Sequence, residues 1–211
     1  MATLDFWELD DPFDMPSVWQ KLIGQERENP DETRAQMDVI LGDHPGGFHC
    51  LELGCGVGRL LVELESRHLF LEHHGIDTSV SIVLAAQRYL TAHNSSAIIR
   101  NGNGISLPYP DDYFSLVYSF TVFQHMRSLA LIHCNLMEIR RVLKTGAIAR
   151  IQTVACGPDI EPFDFTRYDG RVFHGIDDYT STLQSAGFQV ISCEQGLTHP
   201  DHLWATIQRE R

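Results

Sequence analysis

One short run, Leu51 to Leu60, most constrains what this chain can fold into. Its apolar start predicts a buried strand, and glycines at 54, 56 and 58 predict a tight turn leading straight into a helix. Glycine has no Cβ and reaches positive φ readily, so a ligand can approach such a turn closely. The first helical turn also offers unpaired N–H groups to a polar ligand. The run therefore predicts a ligand-binding turn between a strand and a helix.

The spacing of the glycines indicates whether the turn fits a dinucleotide-binding site. The dinucleotide fingerprint G-x-G-x-x-G requires a third glycine at position 59, where this chain has Arg59. The pattern present is Glu52-x-Gly54-x-Gly56-x-Gly58. The glycine spacing therefore argues against a dinucleotide ligand, although the run still predicts a ligand-binding turn.

The rest of the chain alternates between strand-like and helix-like segments. Strands are predicted over 48–53, 73–77, 97–100, 113–120, 147–154, 188–193 and 203–207. Helices are predicted over 57–66, 79–91, 128–143 and 176–186. Such alternation is typical of a parallel sheet covered by helices on both faces. We therefore predict an α/β fold with a doubly wound, seven-stranded, mostly parallel sheet.

Residues 1–46 show no strand pattern and are predicted to form an N-terminal helical cap. A helix is predicted from about Pro30 to Leu41, with Asp31 or Thr33 at its start. Residues 47–211 are predicted to be one compact ligand-binding domain, because the chain length suits a single hydrophobic core.

An acidic residue closes the second predicted strand. Asp77 follows Gly58 by 19 residues, a spacing at which a carboxylate can bond ribose hydroxyls beside a glycine turn. Alternatively, the Asp77-Thr78-Ser79 segment caps the next helix, because its side-chain oxygens can accept from the first N–H groups. Asp77 alone does not distinguish the ribose of a dinucleotide from that of another nucleoside.

A second motif occupies residues 101–120 and reads N-G-N-G-I-S-L-P-Y-P-D-D-Y-F-S-L-V-Y-S-F. Together with the glycine run, it resembles class I S-adenosylmethionine-dependent methyltransferases, whose patterns are E-x-G-x-G-x-G and G-D-x-x-x-L-P-F-x-D-x-x-F-D-x-V. The segment Glu138 to Ala147 is similar to the family's R-V-L-K-P-G-G turn. The resemblance covers about residues 48–155. It implies a Rossmann-like methyltransferase fold and the cofactor S-adenosylmethionine, with S-adenosylhomocysteine as product.

The resemblance also implies which residues bind the cofactor. Glu52 is expected to reach its cationic amino group, Asp77 its ribose, and the 101–104 segment its adenine. The full expected set is Glu52, Gly54, Cys55, Gly56, Gly58, Asp77, Thr78, Asn103, Gly104 and Phe120. No metal ligands are expected, because the eleven histidines show no metal-binding spacing.

Asn103 departs from the family pattern, which has Asp at the position that addresses the adenine edge. An amide oxygen can still accept from the adenine amino group, but the negative charge is lost. The substitution therefore bears on cofactor affinity more than on the fold.

The reaction that the resemblance implies needs few catalytic groups. Methyl transfer from a sulfonium is an in-line displacement, in which the protein mainly aligns the acceptor and excludes water. His125 is the candidate general base, because it follows the fourth strand and an unperturbed histidine pKa of about 6.5 suits neutral pH. The alternative is that His125 only bonds backbone at the following helix start.

We therefore expect methyl transfer to an O or N atom of a small-molecule acceptor. One alternative is a non-catalytic, S-adenosylmethionine-binding regulatory protein, which the substitution at Asn103 leaves open. The other is an NAD-dependent oxidoreductase, against which Arg59 and the Leu107-Pro108-Tyr109 segment argue.

Composition narrows the expected partners and location. The formal net charge is −12 and no long basic run occurs, so a nucleic-acid partner is not expected. The acidic N-terminus lacks a signal-peptide pattern, no segment is apolar enough for a membrane, and the five cysteines form no C-x-x-C pair. These features predict a cytoplasmic protein with reduced thiols and no membrane association. The oligomeric state does not follow from the sequence.

Overall fold

A computed structural model describes residues 8–23, 27–156 and 172–210. The helices are α1 (Met15–Ile23), α2 (Pro30–Leu41), α3 (Arg59–Ser66), α4 (Val80–Ala92), α5 (Leu129–Val142) and α6 (Ile176–Ser185). The strands are β1 (Gly47–Leu53), β2 (Phe70–Asp77), β3 (Ile98–Asn101), β4 (Phe114–Ser119), β5 (Leu143–Val154), β6 (Phe188–Gln195) and β7 (His202–Arg209). The chain divides into two compact units, residues 1–104 and 105–211.

The first unit contains three parallel strands in the order β3-β2-β1. The second half of β1 is buried on both faces, which is why its sequence is apolar apart from Glu52. Helix α3 follows β1 and buries Leu60, Leu61 and Leu64, the apolar stripe expected from a period of 3.6 residues. The glycine run therefore connects a buried strand to an amphipathic helix, as predicted.

Two helices lie in the predicted N-terminal cap. Helix α1 packs Val18 and Trp19 against Tyr89 of α4, and the Trp19 and Tyr89 rings meet edge to face. Helix α2 spans Pro30–Leu41, the predicted range, and its N-cap is Asn29, whose side chain accepts from the N–H groups of Asp31 and Glu32. The predicted starts at Asp31 or Thr33 were wrong, because Pro30 is well suited to the first helical position and the residue before it, Asn29, is then the cap.

The extent of the cap, residues 1–46, stays a prediction. Residues 1–7 and 24–26 of that range lie outside the described residues.

The second unit contains four strands in the order β4-β5-β7-β6. Strand β5 runs parallel to β4, whereas β7 runs antiparallel to both β5 and β6. The beginning of β7 therefore lies beside the end of β5, with His202 opposite Val154. This arrangement brings the residue that follows β4, Phe120, to the same edge of the sheet as His202.

Strand β5 starts at Leu143, directly after α5, and not at residue 147 as the sequence pattern predicts. Gly146 lies inside this strand with φ +80°. The glycine therefore bends the strand, whereas the sequence pattern places it in a turn before the strand. The other predicted elements are present, with ends within three residues of the predicted ones. The predicted α/β fold with a seven-stranded, mostly parallel Rossmann-like sheet is confirmed.

Candidate functional site

The glycine turn of the first unit is fixed by backbone hydrogen bonds. The N–H groups of Gly54 and Cys55 both donate to the Ile76 carbonyl, at 2.8 and 3.1 Å. Gly54, Gly56 and Gly58 all have positive φ, at +72°, +53° and +83°, where a side chain would strain the backbone. Because Gly58 is the N-cap of α3 and has no side chain, the first N–H groups of α3 receive no side-chain cap. These are the N–H groups that a polar ligand can use.

The Cys55 side chain packs beneath the turn. It is buried, and a Cβ on Gly75 of β2 would lie only 2.8 Å from its sulfur. Burial raises the pKa of the Cys55 thiol, so the thiol stays protonated and apolar. Any role of Cys55 toward a ligand therefore falls to its backbone.

Asp77 connects the glycine turn to the start of α4. Its Oδ2 accepts from the Gly56 N–H at 3.0 Å, and its Oδ1 accepts from the Ser79 N–H at 3.0 Å. Burial raises the pKa of Asp77, and the hydrogen bonds from Ser79, Gly56 and Thr78 oppose that rise. After these three hydrogen bonds the carboxylate still has a lone pair that can accept from a ribose hydroxyl.

The helix cap is a different residue. Ser79 is the N-cap of α4, since its Oγ accepts from the Ile82 N–H at 3.1 Å. Thus Asp77 and Thr78 precede the cap position, and the Asp77 carboxylate is directed to the glycine turn as well as to the helix.

The 101–104 segment lies against residues 77 and 78. The Gly102 N–H donates to the Asp77 carbonyl at 2.8 Å, and the Asn101 amide donates to the carbonyls of Asp77 and Thr78. A Cβ on Gly104 would lie 3.3 Å from the Thr78 methyl group, so the two segments pack closely. Asn103 of this segment is exposed.

Sequence reasoning brought these three segments together correctly within the first unit. The three segments lie at or just after the carboxyl ends of β1, β2 and β3. They are the glycine turn, Asp77 with Thr78, and Asn103 with Gly104. Glu52 lies on β1 opposite Gly75 and is 3% exposed. A carboxyl group this deeply buried needs partners of opposite charge or hydrogen-bond donors.

Sequence reasoning missed Glu8. Its two carboxylate oxygens accept from the N–H groups of Val80 and Ser81, at 3.0 and 3.1 Å, in the first turn of α4. These bonds and that from the Ser81 hydroxyl lower the pKa of Glu8. No local pattern marks this residue, because the contact joins positions 72 and 73 residues apart.

Phe120 and His125 belong to the second unit. Phe120 stacks on Trp204, with ring centroids 5.5 Å apart and planes inclined by 12°. His125 ends a short 3-10 helix, Phe123–His125, and its N–H donates to the Val122 carbonyl at 2.9 Å. The proposed contact of Phe120 with the cofactor and the catalytic role of His125 stay predictions.

Within residues 8–23, 27–156 and 172–210, no group of three or more His, Cys, Asp or Glu side chains is arranged to hold a metal ion. Across the same residues, no helix has the length and apolar character needed to cross a membrane.

Comparison with known proteins points to one family. Residues 51–151 match the family model described as a methyltransferase domain. The phosphoethanolamine N-methyltransferase of Triticum aestivum is 25% identical over 178 residues, which are 82% of this chain and 33% of that protein. The (+)-O-methylkolavelool synthase of Herpetosiphon aurantiacus is 30% identical over 149 residues, which are 68% of this chain and 51% of that protein. The chain thus spans a third to a half of the length of these relatives.

A solved structure has the same fold. The phosphoethanolamine N-methyltransferase 2 of Haemonchus contortus, solved with S-adenosyl-L-methionine, matches with a TM-score of 0.76 at 15% identity. The match covers 100% of this chain and 60% of that one.

Proposed function

The chain belongs to the class I S-adenosylmethionine-dependent methyltransferases, and from this premise we propose that it binds S-adenosylmethionine and transfers the methyl group to a small-molecule acceptor. The two relatives described above are named for an N-methyl and an O-methyl product, so we propose an O or N atom as the methylated position.

The observation that carries this proposal is the link between Asp77 and the glycine turn. One carboxylate holds the Gly56 N–H and the Ser79 N–H, and still has a lone pair for a ribose hydroxyl. The uncapped start of α3 suits the carboxylate of the methionine part, because helix N-termini attract anions. Buried Glu52 suits the cationic amino group. These donors and acceptors fit the polar groups of S-adenosylmethionine.

The remaining expected contacts follow the same logic. Gly104 and Asn103 are proposed to face the adenine, and the Asn103 amide oxygen is proposed to accept from its amino group. Phe120 is also proposed to contact the cofactor. Cys55 contributes through its backbone.

The bound cofactor supplies an electrophilic methyl group on a sulfonium. The residues of the chain hold the acceptor in line with that methyl, exclude water and accept a proton where the acceptor carries one. We propose His125 for the last role, because it follows β4 at the carboxyl end of the sheet of its unit.

Calorimetric titration with S-adenosylmethionine, S-adenosylhomocysteine and NAD tests the proposal. We expect both sulfur compounds to bind and NAD not to bind. Asp77→Asn, which keeps the size of the side chain but removes its charge, should weaken binding by about tenfold or more. Asp43→Asn changes an exposed carboxylate outside the site and is the matched control.

Each other outcome has a defined meaning. Binding of NAD alone would replace this proposal with an oxidoreductase. Binding of S-adenosylmethionine without release of S-adenosylhomocysteine, across a panel of phenols, carboxylates and amines, would favour the non-catalytic binding protein.

A further inference from the structure

The residue that follows Phe120 has a backbone conformation that is unusual for its type. Thr121 has φ +57°, in the left-handed region. Among the residues that the structure describes, three others besides glycine have positive φ: His68, Asn94 and Asp112. Histidine, asparagine and aspartate adopt this region several times more often than most residues, whereas the branched Cβ of threonine clashes with the backbone there. Thr121 is therefore the strained position of the four.

A buried side chain of β5 holds this strained residue in place. Gln152 is 0% exposed, and its Oε1 accepts from the Thr121 N–H at 2.7 Å. Its Nε2 donates to the Thr153 carbonyl at 2.5 Å and to Oε1 of Gln124 at 3.4 Å. Strained residues persist where the surrounding contacts determine their conformation, and the Gln152 amide is such a contact.

The bonding partners fix which way round the Gln152 amide lies. The Thr121 N–H can only donate, so it must meet the amide oxygen. The Thr153 carbonyl can only accept, so it must meet the amide nitrogen. An amide satisfies both neighbours at once, whereas a carboxylate has no hydrogen to donate and an aliphatic side chain offers neither group. The position therefore requires the chemistry of glutamine as well as its size.

The segment that Gln152 holds leads directly to the candidate base. Gln152 bonds this segment twice, at Thr121 and at Gln124, the residue before His125. The His125 N–H closes the short 3-10 helix by donating to the Val122 carbonyl at 2.9 Å. The segment follows β4, and ligands of α/β sheets bind outside the carboxyl ends of the parallel strands. Backbone strain at such a place is typical of a functional site.

We propose that Gln152 is a positioning residue for methyl transfer: its amide holds Thr121 in the left-handed conformation and thereby fixes the position of His125. A general base must lie within hydrogen-bond reach of the proton that it accepts. Misplacement by about 1 Å can lower a rate about a hundredfold. Gln152 acts only through the segment that it holds. The inference rests on the proposed function, in which His125 accepts a proton from the acceptor.

The first test measures whether the amide holds the segment, and it needs neither cofactor nor acceptor. Gln152→Met keeps the length of the side chain but removes both hydrogen-bonding groups. We expect amide hydrogen exchange at His125, followed by NMR, to quicken about tenfold or more in this variant. Gln208→Met is the matched control, because the Gln208 amide donates to the Gly146 carbonyl near the beginning of β5. It should leave exchange at His125 unchanged.

The second test separates positioning from simple filling of the core. Glycine adopts the left-handed region without strain, so Thr121→Gly reduces the need for the amide. The change that Gln152→Met causes in exchange at His125 should be at least about threefold smaller in the Thr121→Gly background. A side chain that only fills the core would cause the same change in both backgrounds.

Two results of these exchange measurements would overturn the proposal. One is unchanged exchange at His125 in Gln152→Met, and the other is an equal change in the two backgrounds. If circular dichroism shows that Gln152→Met does not fold, Gln152→Asn takes its place in both backgrounds, because its amide is one methylene farther from Thr121.

The third test reads the consequence for catalysis. Gln152→Met should lower kcat by a factor of about 10 to 100, measured with S-adenosylmethionine and the phenol, carboxylate or amine that the wild-type protein converts fastest. Adding Thr121→Gly should restore part of this loss, and Gln208→Met should have the kcat of the wild type. The Kd for S-adenosylhomocysteine should stay unchanged in Gln152→Met. In the described part of the chain, Gln152 hydrogen-bonds to none of the residues proposed to bind the cofactor.

Failure of this inference and failure of the proposed function give different results. Methyl transfer by the wild-type protein with an unchanged kcat in Gln152→Met would contradict the inference and sustain the proposed function. A wild-type protein that neither binds S-adenosylhomocysteine nor methylates any compound would count against the proposed function. In that case the exchange measurements alone decide whether Gln152 holds the segment.

Discussion

At the scale of single residues, the space behind the glycine turn is filled completely. A Cβ on Gly75 would lie 2.7 Å from the nearest Leu61 methyl carbon and 2.8 Å from the Cys55 sulfur. Neither neighbour is at the end of a flexible, solvent-exposed chain, because both are buried. Gly75 therefore supports the turn by leaving room for the Leu61 and Cys55 side chains behind it.

We predict that Gly75→Ala lowers the free energy of unfolding by about 1–3 kcal/mol, the usual cost of overpacking a core. Urea denaturation followed by circular dichroism measures this directly. Gly175→Ala is the matched control, since Gly175 has an extended φ of 175° and no atom within 4 Å of the added Cβ. It should change the free energy by less than about 0.5 kcal/mol. Equal midpoints for the two variants would contradict the prediction.

Residues whose positions depend on neighbouring sequence were predictable, and those whose positions depend on distant contacts were not. The glycine turn and Asp77 follow consecutive strands, so the pattern of strands and turns brought them together. His202 and Glu8 have no such pattern. His202 lies at the sheet edge because β7 runs antiparallel beside β5, a pairing that the period of the sequence does not specify.

At the scale of elements, one arginine holds a loop of the second unit to a helix. The Arg141 guanidinium of α5 donates to the Leu107 and Tyr109 carbonyls at 2.9 and 2.8 Å, and to Asp111 at 2.8 Å. It also pairs through two nitrogens with Glu138, whose Oε2 accepts from the Leu107 N–H at 2.7 Å. The hydrogen bonds from Arg141 lower the pKa of Glu138. The loop of the second sequence motif is thus fixed by α5.

We predict that Arg141→Lys lowers the free energy of unfolding by about 2 kcal/mol, because an ammonium group cannot make the paired bonds of a guanidinium. Hydrogen exchange should quicken at the amides of residues 107–112 before it does so elsewhere in the unit. Arg140→Lys is the control, since Arg140 donates through Nε to the Gly187 carbonyl alone. If the two substitutions had the same effect, the proposed role of Arg141 would be wrong.

Element types were predictable from the period of apolar residues, while some element ends were not. The α5–β5 junction resembles a family turn in sequence, yet Leu143 already pairs with Phe114 of β4, and regular pairing resumes at Ile148 after a register shift. Strand pairing is a long-range interaction that overrides the local tendency of Gly146 to end a strand.

At the scale of the whole molecule, two buried histidines and one half-buried histidine oppose stability in acid. Burial lowers the pKa of His73 and of His74, both in β2, and lowers that of His202 to about 4. Between its folded pKa and about 6.5, each histidine binds more protons in the unfolded chain than in the folded one. The free energy of unfolding therefore falls as pH drops through this window.

The acidic residues act in a different pH range. Glu8, Glu65 and Glu138 have pKa values lowered below the ordinary 4.5, so their stabilisation is lost only as pH falls below that value. Asp77 acts in the opposite sense, because its raised pKa makes protonation favour the folded state. From pH 6.5 to about 5, the free energy of unfolding therefore falls because of the histidines and not because of the carboxylates.

We predict that the free energy of unfolding decreases between pH 7 and pH 5, with a contribution from His202 on the order of 1–2 kcal/mol at pH 5. Urea denaturation at half-unit pH intervals measures the slope. His202→Gln should flatten it, because glutamine does not take up a proton. A slope identical in wild type and His202→Gln would mean that His202 is protonated equally in the folded and unfolded chains.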